Sequence, residues 1–256
     1  SLNHQLNYLR IAEKYSDLII SLPNVMQLAL RPYHKILIPI VAKNYLEKKK
    51  QTIVPLLVHA PTSIGKGTQS IEKAIVQLKN IGLTFNYQRI ENTPRTEALN
   101  IYSEADIIID QVLTPGGGKL AHEGLAMGKI VLTLMACGTY NQKRPSDCPL
   151  VDVREETLYD VLKKLIPDVT LRNEIAKKGR PYIEKHHNPK KIVVDVLKQL
   201  EDKNQHKPDF HPTFFRENYT PEPEYVETYN KWTEYVKDCN WYKETVPKGE
   251  RAGLTF

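Results

Sequence analysis

The run Ala105-Asp-Ile-Ile-Ile-Asp-Gln-Val-Leu-Thr-Pro-Gly-Gly-Gly-Lys-Leu-Ala-His-Glu-Gly-Leu-Ala-Met-Gly-Lys-Ile-Val-Leu-Thr-Leu134 decides the fold class. Its first six residues are an apolar strand closed by an acid. A Pro-Gly-Gly-Gly turn follows, then a short helix over Lys119–Met127 and a second apolar strand over Ile130–Leu134. Strands that lack polar alternation are covered on both faces, as in a parallel sheet with helices above and below.

The pattern continues in both directions. Upstream, Ile53–Ala60 is a β-branched apolar run, and Thr68–Leu78 sets Ile71, Ala74, Ile75 and Leu78 at helical spacing behind a capping threonine. Thr84–Ile90 predicts a strand, and Pro94–Ala105 a helix with Leu99 and Tyr102 on its inner face. Downstream come a strand at Pro149–Val153, a helix at Glu155–Ile166, and two closing helices, Leu171–His186 and Pro189–Asp202. The expected architecture is an α/β, doubly wound, Rossmann-like parallel sheet over residues 52–202. Its crossovers are right-handed, and its ligands gather at the carboxyl ends of the strands.

Residues 1–46 read as a helix, a strand at Asp17–Ser21, a short helix and a strand at Lys35–Ile40. This pattern is expected of the last βαβ piece of a preceding domain rather than of a whole domain, with Glu47–Gln51 as linker. Residues 203–256 form an aromatic-rich tail that holds 11 of the 21 aromatic residues and is punctuated by Pro208, Pro212, Pro221 and Pro223. Within it, Glu224–Lys237 predicts an amphipathic helix with Tyr225, Tyr229 and Trp232 on one side, followed by Trp241 and Tyr242. Such a stripe is expected to pack against a neighbouring surface.

Composition narrows the function classes. No apolar run approaches the roughly 18 residues of a membrane span, and the first residues carry neither a basic nor an apolar leader. The chain opens on Ser1, so a piece of a longer protein is expected. Cys137, Cys148 and Cys239 suit neither a disulfide framework nor a metal site, which favours a reducing, cytoplasmic interior. Net charge is +6. Acids are interleaved with the bases, except at Lys48-Lys49-Lys50 and Lys185–Lys191, so most of the charge reads as a solvated surface. A phosphate-bearing ligand or peripheral contact with anionic lipid accounts for the local excess; no nucleic-acid partner is expected.

Two loops carry candidate chemistry. His59–Thr68 lies between a strand and a helix, where amides and the helix dipole attract an anion. Lys66 adds charge there, and Gly65 and Gly67 permit close backbone approach. In the second loop, Gly116, Gly117 and Gly118 precede a helix, so their amides can face a diphosphate. Glu123, about one turn in, can accept hydrogen bonds from two vicinal hydroxyls. The plain alternatives are an ordinary βα loop with a capping Thr68, and a tight turn followed by a first-turn acid. Gly65-Lys66-Gly67-Thr68 also resembles the phosphate loop of nucleotide kinases, although Ala60 stands where that motif has its first glycine. His122 should point away from Glu123, since adjacent helical residues diverge. No His/Cys/Asp cluster has metal spacing.

Taken together, Lys66-Gly67, Tyr102-Ser-Glu-Ala-Asp-Ile-Ile-Ile-Asp110, and Gly116-Gly-Gly118 through Glu123 to Gly128-Lys129-Ile-Val131 resemble the carboxyl-terminal domain of retaining GT-B glycosyltransferases of the group 1 type. Residues 9–40 resemble the closing strand–helix–strand of that family's amino-terminal domain. The resemblance implies a hexosyltransferase-like enzyme that takes a nucleoside-diphosphate sugar as donor and uses no separate cofactor and no metal. It implies that Lys66 binds the donor diphosphate from one side and the amides of Gly116, Gly117 and Gly118 meet it from the other. Glu123 would hold the ribose hydroxyls, and the backbone near Ile90 and Glu91 would line the base.

Two positions depart from the family pattern. Pro115 stands where many members carry an acid that contacts the transferred sugar. Pro61-Thr62 replaces the usual Gly-Arg, so the second phosphate cation must come from elsewhere, with Lys119 one substitute. The acceptor could be a saccharide, a lipid-linked group or a protein, and its site would lie largely in an amino-terminal domain missing here. The rival readings are a P-loop-like nucleotide kinase and a non-catalytic interaction module that keeps the sugar-nucleotide fold.

Overall fold

The computed structural model describes residues 8–9, 11–12, 15–22, 34–47, 50–135 and 145–201. The aromatic tail, Cys137, Cys239, Lys48 and Lys49 lie outside the described residues.

The core is a five-stranded, fully parallel sheet. Two short strands come first among the described residues, β1 (Ile20–Ser21) and β2 (His34–Lys35), and pair with each other. The sheet itself is built from β3 (Leu56–His59), β4 (Asn86–Arg89), β5 (Ile107–Gln111), β6 (Ile130–Thr133) and β7 (Val151–Asp152), in the spatial order β4-β3-β5-β6-β7. Strand order therefore reverses between β3 and β5, and the loops leaving their carboxyl ends diverge to open a crevice, the usual ligand position in such sheets.

Residue parity along the strands sorts side chains between two cores. Leu57, Ile107, Ile109, Ile130 and Leu132 pack with α1 (Thr68–Asn80), α4 (Leu158–Leu165) and α5 (Val169–Ala176). Val58, Ile108 and Val131 point the other way, onto α2 (Arg95–Glu104), α3 (Lys119–Ala126) and α6 (Gly179–His186). The predicted spacing on α1 is realised: Ile71, Ala74, Ile75 and Leu78 are all buried. On α2 the inner face is centred on Ala98, with Ile101 and Tyr102 packed beside it. Leu99 is not part of that face, a phase error of one residue on a weakly amphipathic helix.

The elements are shorter than their sequence patterns suggest, because β-branched runs extend beyond the residues that actually pair. The expected Leu171–His186 helix is two helices, α5 and α6, with Lys177 and Lys178 between them. Gly179 opens α6, and a Cβ there would sit 2.7 Å from the Leu125 carbonyl of α3, so the second helix approaches α3 backbone to backbone. α7 (Pro189–Glu201) closes the described chain, and Asp195 on it meets His34 of β2 at 2.6 Å. No helix among the described residues is long and apolar enough to cross a membrane.

Pairing between β5 and β6 skips from Ile109–Leu132 to Gln111–Thr133. Asp110 is the extra residue, so the strand changes phase there. Val112 accordingly packs with the same core as Ile107 and Ile109.

Candidate functional site

The predicted lysine loop is a single 3₁₀ turn, Ile64–Lys66, that ends on Gly67. Gly67 adopts φ +77°, a left-handed conformation that glycine takes without strain. A side chain at Gly67 would also run into Val112 and Leu113. Thr114 Oγ1 donates to the Gly65 carbonyl at 2.8 Å, and the Val112 amide donates to the Lys66 carbonyl at 3.2 Å. These bonds stitch the loop after β3 to the loop after β5. Behind them His59, wholly buried, uses its ring nitrogens on the Ile109 carbonyl (2.8 Å) and the Thr68 hydroxyl (3.0 Å). Burial holds its imidazole below the usual histidine pKa, favouring the neutral form.

Lys66 ends 2.5 Å from Asp110 Oδ1, and its side chain is 14% exposed against 0% for the aspartate. The other oxygen, Oδ2, accepts the Gly118 amide at 3.1 Å. The Gly116 amide donates to the Leu134 carbonyl, and Gln111 Nε2 donates to the carbonyls of Thr114 and Gly116. Two of the three glycine amides expected to face phosphates are thus bonded within the chain. The glycine loop is drawn onto the end of β5 by Asp110 and Gln111.

Glu123 lies on α3 and is 2% exposed. Arg95 donates to its Oε1 at 2.6 Å, and the Tyr45 hydroxyl donates to the same oxygen at 3.0 Å. Lys119 Nζ lies 3.8 Å from it. No hydrogen bond from a described residue reaches Oε2. Hydrogen bonding to the carboxylate raises Arg95 above the usual guanidinium pKa, while burial, then the bond to Glu123, raises the Tyr45 phenol. As expected, His122 turns away from Glu123: its Nδ1 meets the Gly118 carbonyl at 2.8 Å and its ring lies 4.4 Å from that of His187.

These groups face a cleft of about 360 Å³ at the carboxyl end of the sheet, with Lys66, Arg95, Lys119 and Glu123 in its lining. Ile90, Ala98, Tyr102 and Leu120 supply apolar surface, and Glu91 forms part of the rim. A larger recess of about 780 Å³ adjoins it across Pro61, Thr62, Glu91 and Asn92 and reaches the start of α1 at Thr68–Ser70. Arg89 stands there between Glu72 (3.1 Å) and Glu91 (2.6 Å). Of the residues expected from sequence, Lys66, Ile90, Glu91, Lys119 and Glu123 meet in the smaller cleft. Gly67 lines the larger recess, whereas Gly65, Gly116, Gly117 and Gly118 line neither.

Three residues escaped the sequence reading: Tyr45, Arg95 and Asp110 in its role as partner of Lys66. Asp110 was visible as the acid that closes an apolar strand, a place where a buried charge needs a reason. Arg95 sits in no motif. Tyr45 comes from the segment before the sheet, brought in because Arg180 on α6 donates to its carbonyl at 2.9 Å.

The fold is similar to that of solved GT-B glycosyltransferase structures. Anabaena Alr3699/HepE in complex with UDP and glucose aligns with a TM-score of 0.59 at 12% identity, over 78% of this chain and 67% of that one. Sucrose-phosphate synthase from Thermosynechococcus elongatus aligns with a TM-score of 0.60 at 13% identity, over 77% of this chain and 61% of that one. A variant of S. aureus TarM in complex with fondaparinux, alpha-GlcNAc-glycerol and UDP gives 0.56 at 11% identity, over 77% and 46%. The chain therefore spans about half to two thirds of the length of these structures. No family model and no curated protein matches the sequence.

Proposed function

We propose that this chain supplies the donor half of a glycosyltransferase, binding a nucleoside-diphosphate sugar in the cleft between the β3 and β5 loops. The observation that carries the reading is Glu123: a carboxylate 2% exposed, with one oxygen free of hydrogen bonds from the described residues, in a cleft that also holds Lys66, Arg95 and Lys119. A buried carboxylate with open acceptor capacity suits the vicinal hydroxyls of a ribose, and the neighbouring cations suit a diphosphate. Ile90, Ala98 and Leu120 offer an apolar surface to a base. That structures of the same fold hold UDP supports a nucleoside diphosphate as ligand.

In this reading the chemical contribution is electrostatic. Departure of a nucleoside diphosphate builds negative charge on its terminal phosphate, and cations preorganised in a recessed cleft stabilise that charge without any metal. Lys66 is fixed for this task by Asp110 and by the stitched loops. The acceptor site is assigned to an amino-terminal domain, and the fragment is expected to bind donor without appreciable transfer.

Calorimetric titration with UDP, GDP and ADP, with and without Mg²⁺, tests the reading. Metal-independent binding of one diphosphate, weakened about ten- to a hundredfold by Glu123→Ala, is the expected result. Binding that Glu123→Ala leaves unchanged would remove this site assignment.

A further inference from the structure

We propose that Arg95 is the second cation of the diphosphate site, held on Glu123 in this structure and transferred to the phosphates when a ribose takes that carboxylate; the inference rests on the donor-site reading above. The argument begins with a charge inventory of the cleft. Lys66 is matched by Asp110 at 2.5 Å, and both are deeply recessed. Arg95 is matched by Glu123 at 2.6 Å, but its side chain is 56% exposed. Lys119 lies beyond hydrogen-bond distance of its nearest acid, at 3.8 Å. A diphosphate brings several negative charges, more than one loosely matched lysine can meet. Further positive charge has to be released from an existing pair.

Geometry selects the pair. Asp110 also accepts the Gly118 amide and is wholly buried, so pulling Lys66 away would strand a charge inside the protein. Glu123, by contrast, can exchange partners. Arg95 and Tyr45 both donate to the same oxygen, Oε1. A ribose diol gripping both carboxylate oxygens must displace one of these donors. Tyr45 is anchored by Arg180 through its own carbonyl. Arg95, rooted at the first position of α2 on the cleft wall, is the donor able to leave. Once the diol has replaced it, its guanidinium lies in the same small cleft as Lys66, with a planar fork suited to two phosphate oxygens. Arg95 would thereby supply the phosphate cation that Pro61-Thr62 cannot, within the same cleft.

The test compares affinities for UDP, UMP and uridine, or the corresponding series of whichever base binds. Diphosphates are titrated directly, and weaker members are measured by competition. Arg95→Ala should lower diphosphate affinity about ten- to a hundredfold, the range for a charged hydrogen bond. It should leave nucleoside affinity unchanged or raised, because Glu123 no longer has to release a partner. Arg95→Lys should recover part of the diphosphate loss, and Tyr45→Phe should leave the diphosphate-to-nucleoside ratio unchanged. An equal loss for diphosphate and nucleoside in Arg95→Ala would mean that Arg95 only positions Glu123, overturning the inference while the donor-site reading stands. Unchanged diphosphate affinity would overturn it equally. If the parent chain binds none of the diphosphates, both fall together.

Discussion

One aspartate precedes β5 and another is its penultimate residue, and the surroundings of the two differ in kind. At the amino end, Asp106 accepts from the Thr52 amide (2.9 Å), the Thr52 hydroxyl (2.6 Å) and the Leu56 amide (2.9 Å). Nearby Arg172 is 0% exposed and donates to the carbonyls of Leu165, Ile166, Thr52 and Ile53. Lys129, also wholly buried, donates to the Ser103 carbonyl. Apart from the Thr52 hydroxyl, these bonds are all to backbone groups of the chain itself. At the carboxyl end, Glu123 is answered by the side chains of Arg95 and Tyr45, and Asp110 by Lys66 and one backbone amide, around an open cleft. Backbone partners are fixed by the fold, whereas an exposed side-chain donor such as Arg95 can leave its acceptor. The first end therefore holds the fold together, and the second is where a ligand can enter the network.

The sharpest way to break this contrast is Arg172→Leu. Four carbonyls would lose a donor and Asp106 a neighbouring positive charge. Removing one member of a buried ionic network costs about 3–5 kcal/mol, so urea unfolding should show a large loss or no folded protein. A variant as stable as the parent would contradict the structural role of the amino end. Next in size is Gly179→Ala, in which the new methyl meets the Leu125 carbonyl backbone. Overpacking of this kind costs about 1–3 kcal/mol, and nucleotide affinity should fall with it if α3 is displaced. By the same measurement Glu123→Gln should change stability by less than about 1 kcal/mol, since the amide can still accept at its oxygen, while binding weakens. A Glu123→Gln loss as large as that of Arg172→Leu would erase the distinction between the two ends.

The smallest effect concerns His59. Its folded pKa is depressed by burial, so the folded state binds fewer protons than the unfolded state. Its contribution is therefore complete above the unfolded value of about 6.5 and diminishes as pH falls through and below it. Stability measured between pH 7.5 and 5.5 should decline more in the parent than in His59→Gln. Equal slopes would exclude His59 as a source of the decline.

The same contrast explains what was legible in the sequence. Apolar strands, helical periods and the glycine turn are local signals, so the parallel sheet and the position of its crevice followed from them. Lys66 and Glu123 were readable because each lies beside a glycine loop at a strand end. Arg95 and Tyr45 were not, because they reach Glu123 across 28 and 78 residues of chain. Only the tertiary packing of α2 and of the segment ending at Tyr45 brings them there. The glycine amides show the opposite failure: a local motif suggested free donors, yet Asp110 and the end of β6 had already engaged two of them. The split between α5 and α6 was hidden because Lys177 and Lys178 are themselves good helix formers.

The phase slip at Asp110 sets a rule for anyone who would re-engineer this scaffold. Loop lengths beyond Thr114 can be varied without altering which way the sheet's residues face. Deleting Asp110, the extra residue, would restore regular alternation and leave Gln111 opposite Thr133, so the facing of Val112 would survive. What would go is the carboxylate that anchors Lys66 and receives the Gly118 amide. Trimming the strand end thus spares the facing of the sheet but detaches both the lysine loop and the glycine loop from it.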